Sequence, residues 1–162
     1  MDLNIAIAVL VGMFLCHLLA DYPLQGWLAQ AKAKSYWANS AKDNRNDWIA
    51  ALAGHAIMWG ILVMAPVAIA SNFQLDWFWV ALPINIVLHY IIDNQKANKR
   101  QINLIQDQCL HVVQILITWD IWINVYIKFS IACTIIFTVL SLVTCVLGFV
   151  AMDKDREERQ GE

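Results

Sequence analysis

Apolar residues in this chain do not alternate with polar ones. They run in long blocks separated by short charged segments. The first block, Leu3 to Ala20, is uncharged and halts at Asp21-Tyr22-Pro23, because proline disfavours helix in the residue before it. The second, Trp48 to Leu75, has no formal charge and encloses His55. The third, Trp77 to Ile92, is interrupted by His89 and carries Pro83 as a kink point. The fourth, Leu104 to Ile127, contains Asp107, His111 and Asp120, and the fifth, Phe129 to Met152, is uncharged throughout. A membrane-crossing helix needs about 20 residues, so the blocks predict about five transmembrane helices. The third and fourth carry the weaker signal, since polar residues break their hydropathy. Between the first two blocks, Leu24, Trp27, Leu28 and Ala31 recur at the spacing of one helix face among Gln25, Gln30, Lys32 and Lys34. That segment, Leu24 to Lys34, predicts an amphipathic helix lying in the membrane interface.

Composition supports this reading. Of 162 residues, 60% are hydrophobic and 15% charged, against roughly 45–50% and about 25% in a soluble domain. Mean hydropathy is +0.54. A soluble enzyme, a disordered tail and a disulfide scaffold are all excluded as classes. The net charge of −2 gives no reason to expect nucleic acid. Cys16, Cys109, Cys133 and Cys145 lie in apolar runs without CxxC spacing and read as packing residues. Asp2 is the first charge and no basic region precedes the first block, so that block is expected to be a retained span. The expected architecture is a single all-α transmembrane domain, residues 1–152, followed by a charged cytoplasmic tail, residues 153–162.

Charge sets the orientation. With five spans, ten of the eleven Lys/Arg fall on one face, and only Lys128 falls on the other. The positive-inside rule makes the basic face cytoplasmic, with the N-terminus outside and the C-terminus inside. Phe73, Trp77, Trp79, Trp119, Trp122 and Tyr126 then form an outer aromatic belt.

All four histidines lie in predicted spans, and three have an aspartate one turn away: His17–Asp21, His89–Asp93 and Asp107–His111. Residues four apart share a helix face, so each pair projects two ligand-type groups together. With His55, the seven groups fall at a similar depth near the cytoplasmic ends of four helices. A single buried His is commonly satisfied by a neighbouring helix, and Asp93 with Lys96 has the spacing of a local ion pair. Intramembrane carboxylates are nonetheless costly unless paired. A shared cation neutralises all three acids at once. The expected metal ligands are therefore His17, Asp21, His55, His89, Asp93, Asp107 and His111. Imidazole with carboxylate suits Zn²⁺, with Mn²⁺ or Fe²⁺ as alternatives. Seven groups exceed one closed zinc site, so one or two ions fit, with Asp21, Asp93 or Asp107 as candidate catalytic base. Lys96, Gln25 and Gln108 flank the layer as candidate contacts to an anionic substrate, or as snorkelling and capping residues.

The stretch His17-Leu-Leu-Ala-Asp21-Tyr-Pro-Leu-Gln25 with Trp27 and Lys32 resembles the opening motif of the family called domain of unknown function 3307. His89-Tyr-Ile-Ile-Asp93-Asn-Gln-Lys96 and Asp107-Gln108-Cys-Leu-His111 resemble its two later motifs, and His55 matches its second-span His. The likeness covers roughly residues 14–117 and departs at Gln25-Gly26-Trp27, where the family has an extra polar pair. It implies a small multi-pass protein of the bacterial inner membrane, also carried by phages, and brings no activity with it. A fainter similarity of pattern links the chain to membrane-bound metal-dependent hydrolases, an associational argument.

The first expected function is a metal-dependent hydrolase at the cytoplasmic leaflet, acting on a phosphoester or lipid-like substrate among the membrane lipids. The alternatives are a proton, metal-ion or small-solute transporter, a b-type haem protein, and a non-catalytic module held together by a structural metal. The fifth span carries no ligand-type residue, and its apolar surface offers a contact for a homo-oligomer.

Overall fold

Long uncharged blocks can satisfy their own backbone by bonding it within the segment as helix. The computed structural model describes residues 3–41, 44–73 and 78–127, together with Val139 and Val143. Among these described residues all regular structure is helical: α1 (Leu3–Asp21), α2 (Leu28–Ala31), a 3₁₀ turn (Lys34–Trp37), α3 (Asp47–Ala70), α4 (Phe78–Ala97) and α5 (Leu104–Ile127). The first, second and fourth apolar blocks coincide with α1, α3 and α5 to within a few residues. The third block is longer than its hydropathy shows, because α4 runs through Pro83 and on past Asp93 to Ala97. The expected fifth span and the charged tail lie outside the described residues, apart from Val139 and Val143.

The helix ends have local causes. α3 opens with Asp47 in its first turn, the favourable sign for a helix N-terminus. α5 opens on a reciprocal cap: Gln106 N donates to Asn103 Oδ1 at 2.9 Å, and Asn103 N donates to Gln106 Oε1 at 2.8 Å. That cap places Asp107 and His111 in the first two turns of the helix. At the other end of α4, Arg100 adopts a left-handed φ of 53°, and Gln101 N closes on Gln95 O at 3.0 Å.

The interfacial helix expected over Leu24 to Lys34 is one short turn. Gly26 sits at φ +47°, a left-handed conformation that suits glycine and breaks the helix before it starts. The expected apolar face is split accordingly: Ala31 is buried, whereas Leu24 and Trp27 are exposed. Lys32, expected on the solvated face, is buried.

The residues divide into two compact units, with the boundary between Gln101 and Ile102. In the first, α3 packs against both α1 and α4, and the α2–3₁₀ segment rests on α3. Leu52, Ala56, Trp59, Val63 and Met64 of α3 are completely buried. α1 buries only a narrow stripe, Ala6, Val9, Met13, His17 and Ala20, and exposes Leu3, Ile7, Val11, Leu15 and Leu18. On α4 the polarity is inverted: Asn85, His89 and Asp93 are buried while Ile84, Val87, Leu88 and Ile91 are exposed. α5, in the second unit, repeats this, burying Asp107, His111, Gln114 and Thr118 and exposing Leu104, Ile105, Ile117 and Ile121.

Two helices, α1 with 19 residues and α3 with 24, are long and apolar enough to cross a membrane, since at about 1.5 Å per residue both approach or exceed the ~30 Å hydrocarbon core. α4 and α5, with 20 and 24 residues, have comparable length. Their buried polar stripes are what lower their apolar content.

α3 and α4 meet closely at Gly60, where an added Cβ would stand 2.5 Å from Ile86 Cγ1. Gly54, in the same helix, has nothing within 4 Å of that position. Gly60→Ala is expected to destabilise the protein by about 1–3 kcal/mol through overpacking. Gly54→Ala is expected to be neutral or stabilising by up to ~1 kcal/mol from helix propensity. Unfolding midpoints of the two variants side by side check the pair.

Candidate metal centre

Helical spacing builds the site. His17 and Asp21 share a face at the last turns of α1, His55 and Trp59 share one on α3, and His89 and Asp93 share one on α4. Packing of α3 against the other two helices turns these faces toward each other. The meeting point is His55 Nε2. His89 Nε2 lies 3.1 Å from it, Asp93 Oδ2 3.3 Å and Asp21 Oδ1 3.4 Å. His89 Nε2 in turn lies 3.8 Å from Asp93 Oδ2 and 3.9 Å from Asp21 Oδ1. All four side chains are at least 95% buried, Asp21 being the most accessible at 5%.

Those separations have a chemical meaning. A nitrogen of an imidazole carries one proton or one lone pair, so a single bond from His55 Nε2 cannot satisfy an imidazole and two carboxylates together. A cation held between them can. Four ligand atoms set tetrahedrally at Zn–N and Zn–O lengths of about 2.0–2.2 Å stand roughly 3.3–3.5 Å from one another. The three separations from His55 Nε2 fall at or near that edge length, and the two from His89 are a few tenths longer. Asp21, His55 and His89 form a group whose ligand atoms all lie within 4.8 Å of one another. This group, two imidazoles and a carboxylate, could hold an ion such as Zn²⁺, and Asp93 Oδ2 stands beside it at 3.3 Å from His55 Nε2.

The residues around this set hold it in place. Trp59 stacks on His89, with ring centroids 4.2 Å apart and planes 15° from parallel. Its indole N–H donates to His17 Nδ1 at 2.9 Å, and the same nitrogen is 3.7 Å from Asp21 Oδ2. The His17 Nδ1 lone pair is therefore occupied by Trp59. His55 Nδ1 is buried with no hydrogen-bond partner among the described residues.

Two further side chains arrive from the strap formed by residues 25–37. Gln25 Nε2 is 3.1 Å from His55 Nε2. Lys32 Nζ makes a buried 2.7 Å ion pair with Asp93 Oδ2. Asn98, just beyond α4, fastens the strap: its Nδ2 donates to Lys32 O at 3.1 Å and its Oδ1 accepts from Lys34 N at 2.7 Å. Trp37 Nε1 closes the strap on itself by donating to Ala31 O at 2.7 Å.

The structure thus brings Asp21, His55, His89 and Asp93 together, with Gln25 against them. It pairs Asp93 with Lys32, a partner that the local spacing with Lys96 did not indicate; Lys96 is half-buried on the last turn of α4. In the second unit, Asp107 and His111 are both buried and face each other at 3.5 Å, and Gln108 Nε2 donates to Asp107 Oδ2 at 3.1 Å. Sequence reasoning missed three residues. Trp59 carried a signal, since it stands one turn from His55 on the same helix face. Lys32 was hidden by the reading of its segment as an interfacial helix. Asn98 acts through a long-range contact with no local signature.

The sequence profile of a family described as Protein of unknown function (DUF3307) matches residues 9–144, most of the chain. No curated protein and no solved structure matches. The fainter likeness to metal-dependent hydrolases accordingly has no support in these comparisons.

Trp59→Phe retains an aromatic ring beside His89 but removes the donor to His17. Leaving that buried acceptor unsatisfied is expected to cost about 1–3 kcal/mol, read as a lowered midpoint in denaturant unfolding.

Proposed function

The chain belongs to the DUF3307 family, whose description assigns no activity, and from the chemistry of the site we propose a multi-pass membrane protein that binds a divalent metal and uses it for hydrolysis. The observation that carries this reading is the convergence of His89, Asp21 and Asp93 on His55 Nε2 at 3.1–3.4 Å. Asp21, His55, His89 and Asp93 would hold the ion, with Zn²⁺ the best fit to the donor set. The chemistry an ion held there would supply is a bound water of lowered pKa and polarisation of a phosphoryl oxygen. Trp59 stacks on His89 and fixes the His17 ring through its indole N–H, and the carboxylates are the candidates to accept a proton from the attacking water.

The membrane setting is supported by the inverted polarity of α4 and α5. A soluble protein does not ordinarily bury Asn85, His89 and Asp93 while exposing a continuous row of Ile, Val and Leu. Hydrocarbon around the bundle accounts for both faces at once. The concentration of Lys and Arg in the connecting segments supports placing the centre toward the cytoplasmic leaflet. A phosphoester or lipid-like substrate is the class such a position favours.

Transport is the weaker reading. The polar file of α4 extends one turn beyond His89 to Asn85, but that amide donates back to Ala81 O at 3.0 Å and rests against Met64 Sδ at 3.8 Å.

Protein purified without added metal is expected to carry about one equivalent of zinc at this four-ligand centre, measured by elemental analysis. His55→Ala and His89→Ala are expected to lose it, and Asp21→Asn and Asp93→Asn to bind at least about tenfold more weakly. His17→Ala is expected to retain it. A second equivalent removed by Asp107→Asn or His111→Ala belongs to the α5 pair. Turnover of a phosphoester that disappears on chelation supports hydrolysis. Bound metal with no turnover on any phosphoester would reduce the centre to a structural one, and absence of metal from the wild type would overturn the assignment.

A further inference from the structure

The strap supplies two hydrogen-bond donors to the centre, and both rest on atoms that a metal would take. Lys32 Nζ sits on Asp93 Oδ2 at 2.7 Å, and Gln25 Nε2 sits against His55 Nε2 at 3.1 Å. Both side chains are buried, at 4% and 9% exposure. The single Nε2 lone pair of His55, given to a metal, is no longer available to Gln25. The charge of Asp93, once engaged by a divalent ion, no longer balances an ammonium to the same degree. Loading the centre therefore takes the acceptor of a buried amide and weakens the charge balance of a buried ammonium, both on one strap. An ammonium has three donors and a primary amide two, and burying either without a partner is costly. An oxyanion bound beside the metal satisfies both.

We infer that Lys32 and Gln25 form the oxyanion-binding side of this centre, and that its ligand is a phosphate-type group engaged jointly by the metal and the strap. The inference rests on the metal reading above and assigns the anion contact to Lys32 in place of Lys96. The strap is built for the task. It bends at Gly26, whose φ is +47°, and Asn98 grips its backbone on both sides of Ala33 through Lys32 O and Lys34 N. The ammonium is thus held at the centre by main-chain bonds as well as by its pairing with Asp93.

Co²⁺ substituted for the native ion gives visible bands that report its coordination. Co²⁺-loaded wild type is titrated with inorganic phosphate and, separately, with a short-chain phosphatidate. The bands are expected to shift with saturation. Lys32→Gln and Gln25→Ala are expected to keep one Co²⁺ but to need about tenfold more phosphate or above for the same shift, the effect of losing a hydrogen bond to a charged group. Lys32→Arg is expected to recover part of the loss. Gln25→Ala leaves the Lys32–Asp93 pair intact, so it tests the inference even where Lys32→Gln fails to fold. Tighter binding of the phosphatidate assigns a lipid headgroup as the source, and equal binding assigns free phosphate; both support the site. Co²⁺ bound with bands that phosphate does not move, or a wild-type midpoint in Lys32→Gln or Gln25→Ala, overturns the inference and leaves the metal reading standing. No Co²⁺ bound to the wild type overturns both.

Discussion

One nitrogen atom organises the first unit. His55 Nε2 has an imidazole, two carboxylates and an amide within 3.1–3.4 Å, all in a setting with almost no access to solvent. A polar group in such a setting has to find its partners within the protein. Three separate segments meet that demand at a single point, which is a far stronger constraint than any of the apolar contacts around it. Leucine and isoleucine can exchange partners along a helix face at little cost. The His55 neighbourhood cannot shift by one residue on α1, α3 or α4 without turning a ligand away. The register of the helices and the composition of the centre are therefore one problem with one solution.

The same demand explains the distribution of apolar side chains. Polar stripes on α4 take up the inward face, so the isoleucines, leucines and valines of that helix are left outside. α1 reaches the same result differently. Its inward stripe is made of small or flexible residues, Ala6, Met13 and Ala20 among them, which let α1 approach α3 closely enough for His17 and Asp21 to arrive. Gly12 beside Pro66 serves the same closeness, its Cβ position lying 3.2 Å from the proline ring. Small residues at a helix contact and polar groups between helices are the two forms of adhesion that remain effective when the surroundings are as apolar as the side chains.

Much of this was legible in the chain. The blocks ending at Asp21 and Ile127 read as helices because charge or proline marks their limits. The His–Asp spacing of four read as a shared face because helical geometry leaves no alternative. What hydropathy could not read was α4 beyond Ile92: the Asp93-Asn94-Gln95-Lys96 run looks like a terminus, yet helix continues to Ala97, with Asp93 paired to Lys32 and Asn94 accepting from Asn98. Nor could periodicity read the strap. Leu24, Trp27, Leu28 and Ala31 have the spacing of an amphipathic helix, but a single left-handed glycine at Gly26 outweighs it, since so short a helix gains little from propagation. His17 shows a contact that spacing could not reveal. Its spacing from Asp21 matches the other pairs, and only the position of Trp59, one turn from His55 on a different helix, shows that its Nδ1 lone pair is occupied.

The centre thereby separates two kinds of component. Asp21, His55, His89 and Asp93 sit on long helices whose mutual packing leaves little freedom, as the contact at Gly60 shows. Gln25 and Lys32 sit on a segment with little regular structure, shaped by Gly26 and held by Asn98. Groups that must keep a coordination geometry benefit from the rigid part, because a displacement of a few tenths of an ångström alters a metal bond. Groups that must exchange partners benefit from the short irregular part, because a side chain on it can move from a carboxylate to an arriving anion without disturbing a helix. A buried lysine on a long helix would lock Asp93 permanently. Placed on the strap, it balances the buried charge of that carboxylate, and in the proposed reading it would be the group that turns to an arriving anion.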